Sequence, residues 1–190
     1  MSSQPEQLAA IQKATKAKGF DMASEPELGS LLRTLVAIKP DGHILELGTG
    51  TGLSTAWLLD GMDAAARLLS VDRDLSVQDI ARRYLGTDSR CTFLHQEVRE
   101  FLLGWDREPF DMIFADAWSG KFFELDEALG LLKPGGLYVV DDLQPLPTWP
   151  EGHAAKVEKL LEQLSNKPEL ILAKLELSTG ILIAAKRLID

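Results

Sequence analysis

The residues best suited to chemistry lie where a buried apolar run meets a glycine-rich turn. Glu46 closes that run, and residues 48–52 follow with the pattern Gly-x-Gly-x-Gly. Such a turn bends the backbone tightly and lets it approach a ligand without a Cβ in the way, as in the nucleoside-binding corner of α/β sheets. A pyrophosphate is bound by bare amides at a helix start, but here a carboxylate lies two residues before the first glycine. The pattern therefore favours a nucleoside ligand with an ammonium or sulfonium group over NAD.

The same negative charge recurs after each later apolar run. These runs cover residues 68–71, 91–94, 112–115 and 137–140, and the acids that follow them are Asp72, Glu97, Asp116, and the pair Asp141 and Asp142. In an open parallel sheet, ligands bind in the crevice outside the carboxyl ends of the strands. Five strands therefore direct acids into one crevice.

Helical and extended patterns alternate along the chain and predict a doubly wound α/β fold. Helices are expected after Gly52, Leu75, Val98 and Gly120. Ser24 and Glu27 have the spacing of a capping box for an earlier helix. Two final runs, 170–175 and 181–185, predict an antiparallel hairpin that closes the sheet. We expect a Rossmann-like, mostly parallel sheet of seven strands with helices on both faces.

Composition limits the function classes. The chain has 190 residues, 45% of them hydrophobic, and predicts a single domain, 1–190, with residues 1–22 as a helical arm or lid and residues 143–152 as a proline-rich loop on the substrate side. Its net charge of −9 gives no support for binding nucleic acid. The sequence shows no apolar segment of membrane-spanning length and no signal-peptide pattern. Its one cysteine, Cys91, is placed on a buried strand. We therefore expect a cytoplasmic protein without a membrane partner.

Taken together, these motifs resemble the class I S-adenosylmethionine-dependent methyltransferases. Within that class the chain is most similar to the small O-methyltransferases related to the catechol and caffeoyl-CoA enzymes. The resemblance covers residues 19–186 and rests on residues 46–52, Asp72, the Phe-Ala-Asp-Ala run at 114–117 and the Lys-Pro-Gly-Gly run at 133–136. Dimers are common among these enzymes, so the resemblance also implies a homodimer.

The resemblance implies S-adenosylmethionine as the cofactor and a role for each matching residue. Asp72 would accept both ribose hydroxyls, Glu97 would meet the adenine amino group, and Glu46 would face the methionine end. The residues implied to surround the cofactor are Met22 or its neighbours, Glu46, Gly48, Thr49, Gly50, Gly52, Ser54, Asp72, Arg73, Glu97, Val98, Asp116 and Trp118.

Four of these assignments have a structural alternative. Asp72 could cap the helix that starts near Leu75, and Glu97 could serve as a first-turn acid that meets a helix dipole. Glu46 could brace the glycine turn through backbone amides instead of touching the ligand. Trp118 could belong to the core instead of lining the crevice.

The metal and the general base are left open by the sequence. In the catechol-like relatives, acids at the positions of Asp116, Asp141 and Asp142 hold Mg²⁺, which orients and acidifies a diol. The alternative is that Asp116 holds the amino group of the cofactor and the other two acids cap loops. The relatives' catalytic lysine is replaced here by Ser119.

Two other residues could supply a base. Lys121 could swing into the site, or it could be an exposed lysine on the first turn of a helix. His153, at the start of another helix, has a pKa in the useful range, but a histidine there is more often solvated.

Three functions compete at this point. The first is S-adenosylmethionine-dependent O-methylation of a small-molecule acceptor, for which Trp118, Trp149 and the prolines near it hint at an aromatic compound. The second is a cofactor-binding module without catalysis, since the usual lysine is missing. The third is an NAD-dependent oxidoreductase, against which Glu46 argues.

Overall fold

A seven-stranded sheet forms the centre of the computed structural model, which describes residues 4–22, 24–144 and 151–188. The strand order is β3-β2-β1-β4-β5-β7-β6. The strands are β1 (His43–Leu47), β2 (Arg67–Asp72), β3 (Cys91–His95), β4 (Phe110–Ala115), β5 (Leu132–Val140), β6 (Leu170–Leu175) and β7 (Ile181–Lys186).

Helices connect these strands and cover both faces of the sheet. They are α1 (Leu8–Lys18), α2 (Pro26–Ala37), α3 (Leu53–Gly61), α4 (Leu75–Leu85), α5 (Val98–Gly104), α6 (Leu125–Gly130) and α7 (His153–Ser165). Within the described residues no helix combines the length and apolar character that crossing a membrane requires.

The sheet topology confirms the predicted fold class. Strands β1 to β5 pair in parallel, and β7 pairs antiparallel with both β5 and β6. The chain first builds outward from β1 through β2 to β3 and then returns to place β4 on the other side of β1. The carboxyl ends of β1 and β4 therefore flank the point where the strand order reverses, which is where open α/β sheets bind ligands.

Alternating side chains along the central strands feed two separate cores. Leu45 and Ile113 pack on the face covered by α5, α6 and α7. Ile44 and Met112 pack on the opposite face, which carries α1, α2 and α3. By the same alternation, Glu46 points to the α3 side of the sheet.

Two local predictions were wrong. No capping box forms at Ser24, because Pro26 takes the first position of α2 and Glu25 becomes the N-cap without a side-chain bond. Proline at this position is favoured by its fixed φ and missing N–H. Strand β3 is an edge strand with partly exposed residues, so Cys91 is half-buried instead of buried.

The packing of α2 on α3 gives a direct test of this architecture. A Cβ added at Gly29 would lie 2.1 Å from Cδ1 of Trp57. We expect Gly29→Ala to lower the free energy of unfolding by about 1–3 kcal/mol, because the buried indole must move. Gly104→Ala is the matched control, since nothing lies within 4 Å of its added Cβ. Urea denaturation measures both, and equal stability of the two variants would contradict the α2–α3 packing.

Candidate active site

The glycine turn after β1 forms the floor of the crevice at the switch point. Gly48, Gly50 and Gly52 have φ angles of 99°, 53° and 92°, the left-handed region that favours glycine. A Cβ at Gly48 would lie only 3.0 Å from the carbonyl oxygen of Asp116, so the turn runs directly against the end of β4. The structure thereby brings the glycines and Asp116 together, as the sequence predicted.

Glu46 is completely buried beneath this turn and is held by three hydroxyl groups. Ser54 donates to Oε1 at 2.6 Å, and Thr55 and Ser70 donate to Oε2 at 2.6 and 2.5 Å. Side-chain hydroxyls, and not backbone amides, therefore brace this carboxylate. Burial raises the pKa of Glu46 to about 7, although the three donated hydrogen bonds oppose the shift.

Asp72 holds the glycine turn from the neighbouring strand. Its Oδ2 accepts the Gly50 amide at 2.7 Å, and its Oδ1 accepts the Asp74 amide at 2.8 Å. The helix cap is Asp74, whose carboxylate accepts from the Ser76 amide, so the alternative that Asp72 caps α4 is wrong. A carboxylate oxygen can accept a second hydrogen bond, so Asp72 retains capacity for two ribose hydroxyls.

The predicted adenine side is more open. Arg73 and Glu97 are exposed, and the carbonyl of Arg73 lies 3.0 Å from Nε2 of His95. Glu97 is the N-cap residue of α5 but makes no side-chain cap bond, whereas Val98 is buried among apolar residues. The cofactor-binding roles of these three residues stay predictions.

The N-terminal arm lies against the glycine turn. Thr15 of α1 donates to Thr51 at 2.8 Å, and the Phe20 ring would be 3.5 Å from a Cβ at Gly50. Met22 is 75% exposed. Phe20, two residues before Met22, lies against the turn, and a lid role for the arm stays a prediction.

Lys121 is placed by a tight turn after β4. The amides of Lys121 and Phe122 bond to the carbonyl of Trp118, and the Tyr138 hydroxyl donates to the carbonyl of Gly120 at 2.5 Å. The alternative of an exposed lysine in a helix is therefore wrong. Lys121 is 3% exposed and lies four residues before α6 begins.

The Lys121 ammonium faces the acids at the ends of β4 and β5. Its Nζ lies 3.5 Å from Oδ2 of Asp142, and Thr179 donates to Asp141 at 2.5 Å. Burial raises the pKa of Asp116 well above its usual range, which the Lys121 charge opposes and Asp142 and Asp141 reinforce. Burial likewise raises the pKa of Asp141 to about 6.

These acids do not fit Mg²⁺ as they are arranged. In the part of the chain that the structure describes, no three His, Cys, Asp or Glu side chains are grouped so that they could hold a metal ion. Asp142 has a lysine ammonium as its counter-charge, and Asp141 is engaged by Thr179. The metal role of Asp116, Asp141 and Asp142 is thus a prediction that the described geometry does not support.

His153 and Trp118 both lie near the ring of Phe122, in the turn after β4. His153 is 6% exposed and not solvated; its ring packs edge-on against Phe122, and burial lowers its pKa. Trp118 is half-exposed, with the Lys156 ammonium 5.1 Å from its ring centroid, so it is not a core residue. The proline-rich loop with Trp149 falls largely in residues 145–150, outside the described residues.

The profile of a family described as "Methyltransferase domain" matches residues 45–143, just over half of the chain. The chain belongs to the methyltransferase domain family. Those matched residues run from β1 and its glycine turn to the end of β5, so they contain both halves of the crevice. The family predicted from the sequence motifs is confirmed.

Relatives and solved structures agree with this assignment. A catechol O-methyltransferase from Niastella koreensis is 30% identical over 143 residues, which are 72% of this chain and 65% of that enzyme. The match spans less than two thirds of the length of such relatives.

Two solved structures share the fold of this methyltransferase domain. One is the O-methyltransferase TomG from Streptomyces achromogenes in complex with SAM, with a TM-score of 0.85, 25% identity, and coverage of 98% of this chain and 92% of that chain. The other is an O-methyltransferase from Bacillus cereus in complex with SAH, with a TM-score of 0.85, 22% identity, and coverage of 98% and 93%.

Several side chains of the methyltransferase domain site escaped prediction from the sequence. Gln78 is fully buried and donates to Thr49 at 3.0 Å, so the Thr49 side chain is used inside the protein and only its backbone is left for a cofactor. A polar residue on the apolar face of α4 was the available signal. Thr179 had no such signal, since its contact with Asp141 spans 38 residues.

The buried Glu46 predicts a pH-dependent stability. The pKa of Glu46 is raised from 4.5 to about 7 in the folded protein, so protonation of Glu46 stabilises the folded state. This stabilisation is complete below pH 4.5 and is lost as the pH rises to 7. Glu46→Gln removes this dependence, since Ser54 can turn to accept from the new amide. We expect the variant to gain roughly 3 kcal/mol relative to wild type between these pH values. Urea unfolding at several pH values measures the difference, and a constant difference would contradict the assignment.

Proposed function

We propose that this methyltransferase domain transfers a methyl group from S-adenosylmethionine to a hydroxyl oxygen of a small, aromatic acceptor. One observation supports the proposal above the others: Glu46, Asp72 and Asp116 converge on the glycine turn at the switch point. Three carboxylates around one turn suit a ligand with ammonium, sulfonium and ribose groups, and they disfavour a pyrophosphate.

The cofactor would lie across the glycine turn. Asp72 would accept the ribose hydroxyls while it holds the Gly50 amide. The ammonium and sulfonium charges of the methionine end would be attracted by the buried Glu46 and the half-buried Asp116, whose charges are only partly screened by water. Glu46 has no exposed surface, so it acts through its field and through Ser54.

The acceptor would lie between the turn after β4 and the start of α7. Trp118 offers a half-exposed ring for an aromatic acceptor, and Lys121 belongs to the same turn, where its amide donates to the Trp118 carbonyl. In the reaction, a hydroxyl oxygen of the acceptor attacks the methyl carbon and the C–S electron pair leaves with sulfur. Much of the rate comes from holding these three atoms in line.

We assign to Lys121 the stabilisation of the negative charge that develops on the nucleophilic oxygen of the acceptor. The acceptor hydroxyl would give its proton to solvent, and the Lys121 ammonium would stabilise the resulting oxyanion, which is electrostatic catalysis by a buried cation. His153 is buried against Phe122 and lies 3.5 Å from the Asp142 carbonyl, so it supports the wall of the site. The homodimer and the cytoplasmic location remain proposals that rest on the family resemblance and on the single cysteine.

Cofactor binding is tested by calorimetric titration of S-adenosylhomocysteine. We expect wild-type protein to bind with micromolar affinity, about −8 kcal/mol. Asp72→Ala should abolish binding, because it removes the ribose acceptor and frees the Gly50 amide. The matched control, Asp79→Ala, removes an exposed acid of α4 and should bind normally. No binding to wild-type protein would overturn the proposal, and NADH would be the next ligand to titrate.

Catalysis is tested with Lys121→Met in a methyl-transfer assay on a panel of phenols and catechols. We expect at least about a 100-fold loss of kcat, the usual contribution of such a positioned group, with S-adenosylhomocysteine affinity within a few-fold of wild type. Lys159→Met removes an exposed lysine of α7 and serves as control. Full activity of Lys121→Met would remove Lys121 from the mechanism. If wild-type protein bound the cofactor but methylated no acceptor, the non-catalytic module would be the better description.

A further inference from the structure

A continuous chain of buried hydrogen bonds runs from α4 to Glu46. Arg82 donates to Oε1 of Gln78 from Nε at 3.0 Å and from Nη2 at 2.8 Å. Nε2 of Gln78 lies 3.0 Å from Oγ1 of Thr49, which lies 2.6 Å from Oγ of Ser70. Ser70 lies 2.5 Å from Oε2 of Glu46. Gln78 and Glu46 have no exposed surface, and Thr49 has 2%.

The direction of this chain follows from its two ends. A guanidinium can only donate, so the Gln78 amide must turn its oxygen to Arg82 and its nitrogen to Thr49. Thr49 therefore accepts from Gln78 and gives its own proton to Ser70. Ser70 in turn gives its proton to the Glu46 carboxylate. Every hydroxyl on the path is thereby forced to donate toward Glu46, and such aligned chains strengthen each bond.

The same two side chains also hold the edge of the sheet. Gln78 donates its second N–H to the carbonyl of Leu94 at 3.1 Å, and Arg82 donates to the carbonyl of Phe93 at 2.9 Å. These contacts anchor α4 to β3, so the orientation of the Gln78 amide depends on four bonds. Two of the four come from Arg82 and one goes to Leu94, and the fourth, to Thr49, reaches the glycine turn.

We propose that Gln78 and Arg82 are positioning residues of the cofactor site. They act through Thr49 and Ser70, orienting both hydroxyls so that the glycine turn is held in place and the charge of the Glu46 carboxylate attracts the cationic end of the cofactor. This inference rests on the proposed function. It adds two residues of α4 to those that determine specificity for the charged amino acid group of the cofactor.

The test compares two ligands that differ only in that moiety. S-adenosylhomocysteine carries the amino acid group with its ammonium, whereas 5′-methylthioadenosine keeps the nucleoside and the sulfur and lacks the amino acid. Gln78→Glu is nearly isosteric and keeps the Arg82 contact, but its carboxylate must accept from Thr49 and so reverses the chain. Arg82→Leu removes the donor that orients Gln78. Arg83→Leu makes the same change at an exposed neighbour and is the matched control.

We expect Gln78→Glu and Arg82→Leu to weaken S-adenosylhomocysteine binding about tenfold, the effect of one lost hydrogen bond to a charged group. Binding of 5′-methylthioadenosine should stay within about twofold of wild type, and Arg83→Leu should change neither ligand. A second pair of variants tests the Thr49 hydroxyl by itself. Thr49→Val should show the same selective loss of S-adenosylhomocysteine binding, whereas Thr49→Ser keeps a hydroxyl and should bind both ligands like wild type. Circular dichroism confirms that each variant is folded.

The outcomes separate this inference from the proposed function. If wild-type protein does not bind S-adenosylhomocysteine, the proposed function fails and this inference fails with it. If wild-type protein binds and folded variants bind both ligands as well as wild type, only the positioning role is overturned. An equal loss for both ligands would also overturn it, because a merely structural contact would not distinguish the amino acid group.

Discussion

A carboxylate without any exposed surface is the constraint on which the candidate active site depends. Glu46 lies at the end of the central strand, and a buried charge is tolerated only when hydrogen bonds replace its water. The three hydroxyls that do so come from the start of α3 and from β2. Satisfying one side chain therefore fixes a helix start and a neighbouring strand relative to β1. The glycine turn between β1 and α3 must take the shape that these contacts leave for it.

The second half of the crevice carries an imbalance of charge that a cationic ligand would relieve. Asp116, Asp141 and Asp142 share one buried ammonium, that of Lys121. Burial raises the pKa of Asp116 and of Asp141, which means that their ionised forms are disfavoured in the empty crevice. Carboxylates with perturbed pKa values are common at functional sites, and a bound cation would favour their ionised forms.

The topology explains why both halves meet. Parallel strands end at the same edge of the sheet, and the reversal of strand order between β1 and β4 leaves a gap that the glycine turn occupies. In the proposed function, the glycine turn would hold the cofactor and the turn after β4 would face the acceptor. A rigid central sheet thus holds in register two groups of side chains that are far apart in sequence, which the in-line geometry of methyl transfer demands.

Features that depend on local pattern could be read from the sequence alone. The glycine turn, the acids at strand ends and the final hairpin each follow from short-range rules of backbone geometry and side-chain alternation, and all are present in the fold. The start of α2 was misjudged because Ser24 and Pro26 offered competing signals, and the proline prevailed.

Only the tertiary structure decided the rest. The burial of Lys121 follows from a turn held by Tyr138, and the role of Asp72 at the glycine turn, with Asp74 as the helix cap, follows from its reach to Gly50. The path from Arg82 to Glu46 crosses four elements. Hydrogen bonds between residues distant in sequence depend on how whole helices and strands pack against each other. The sequence pattern around one residue does not indicate its partner on another element.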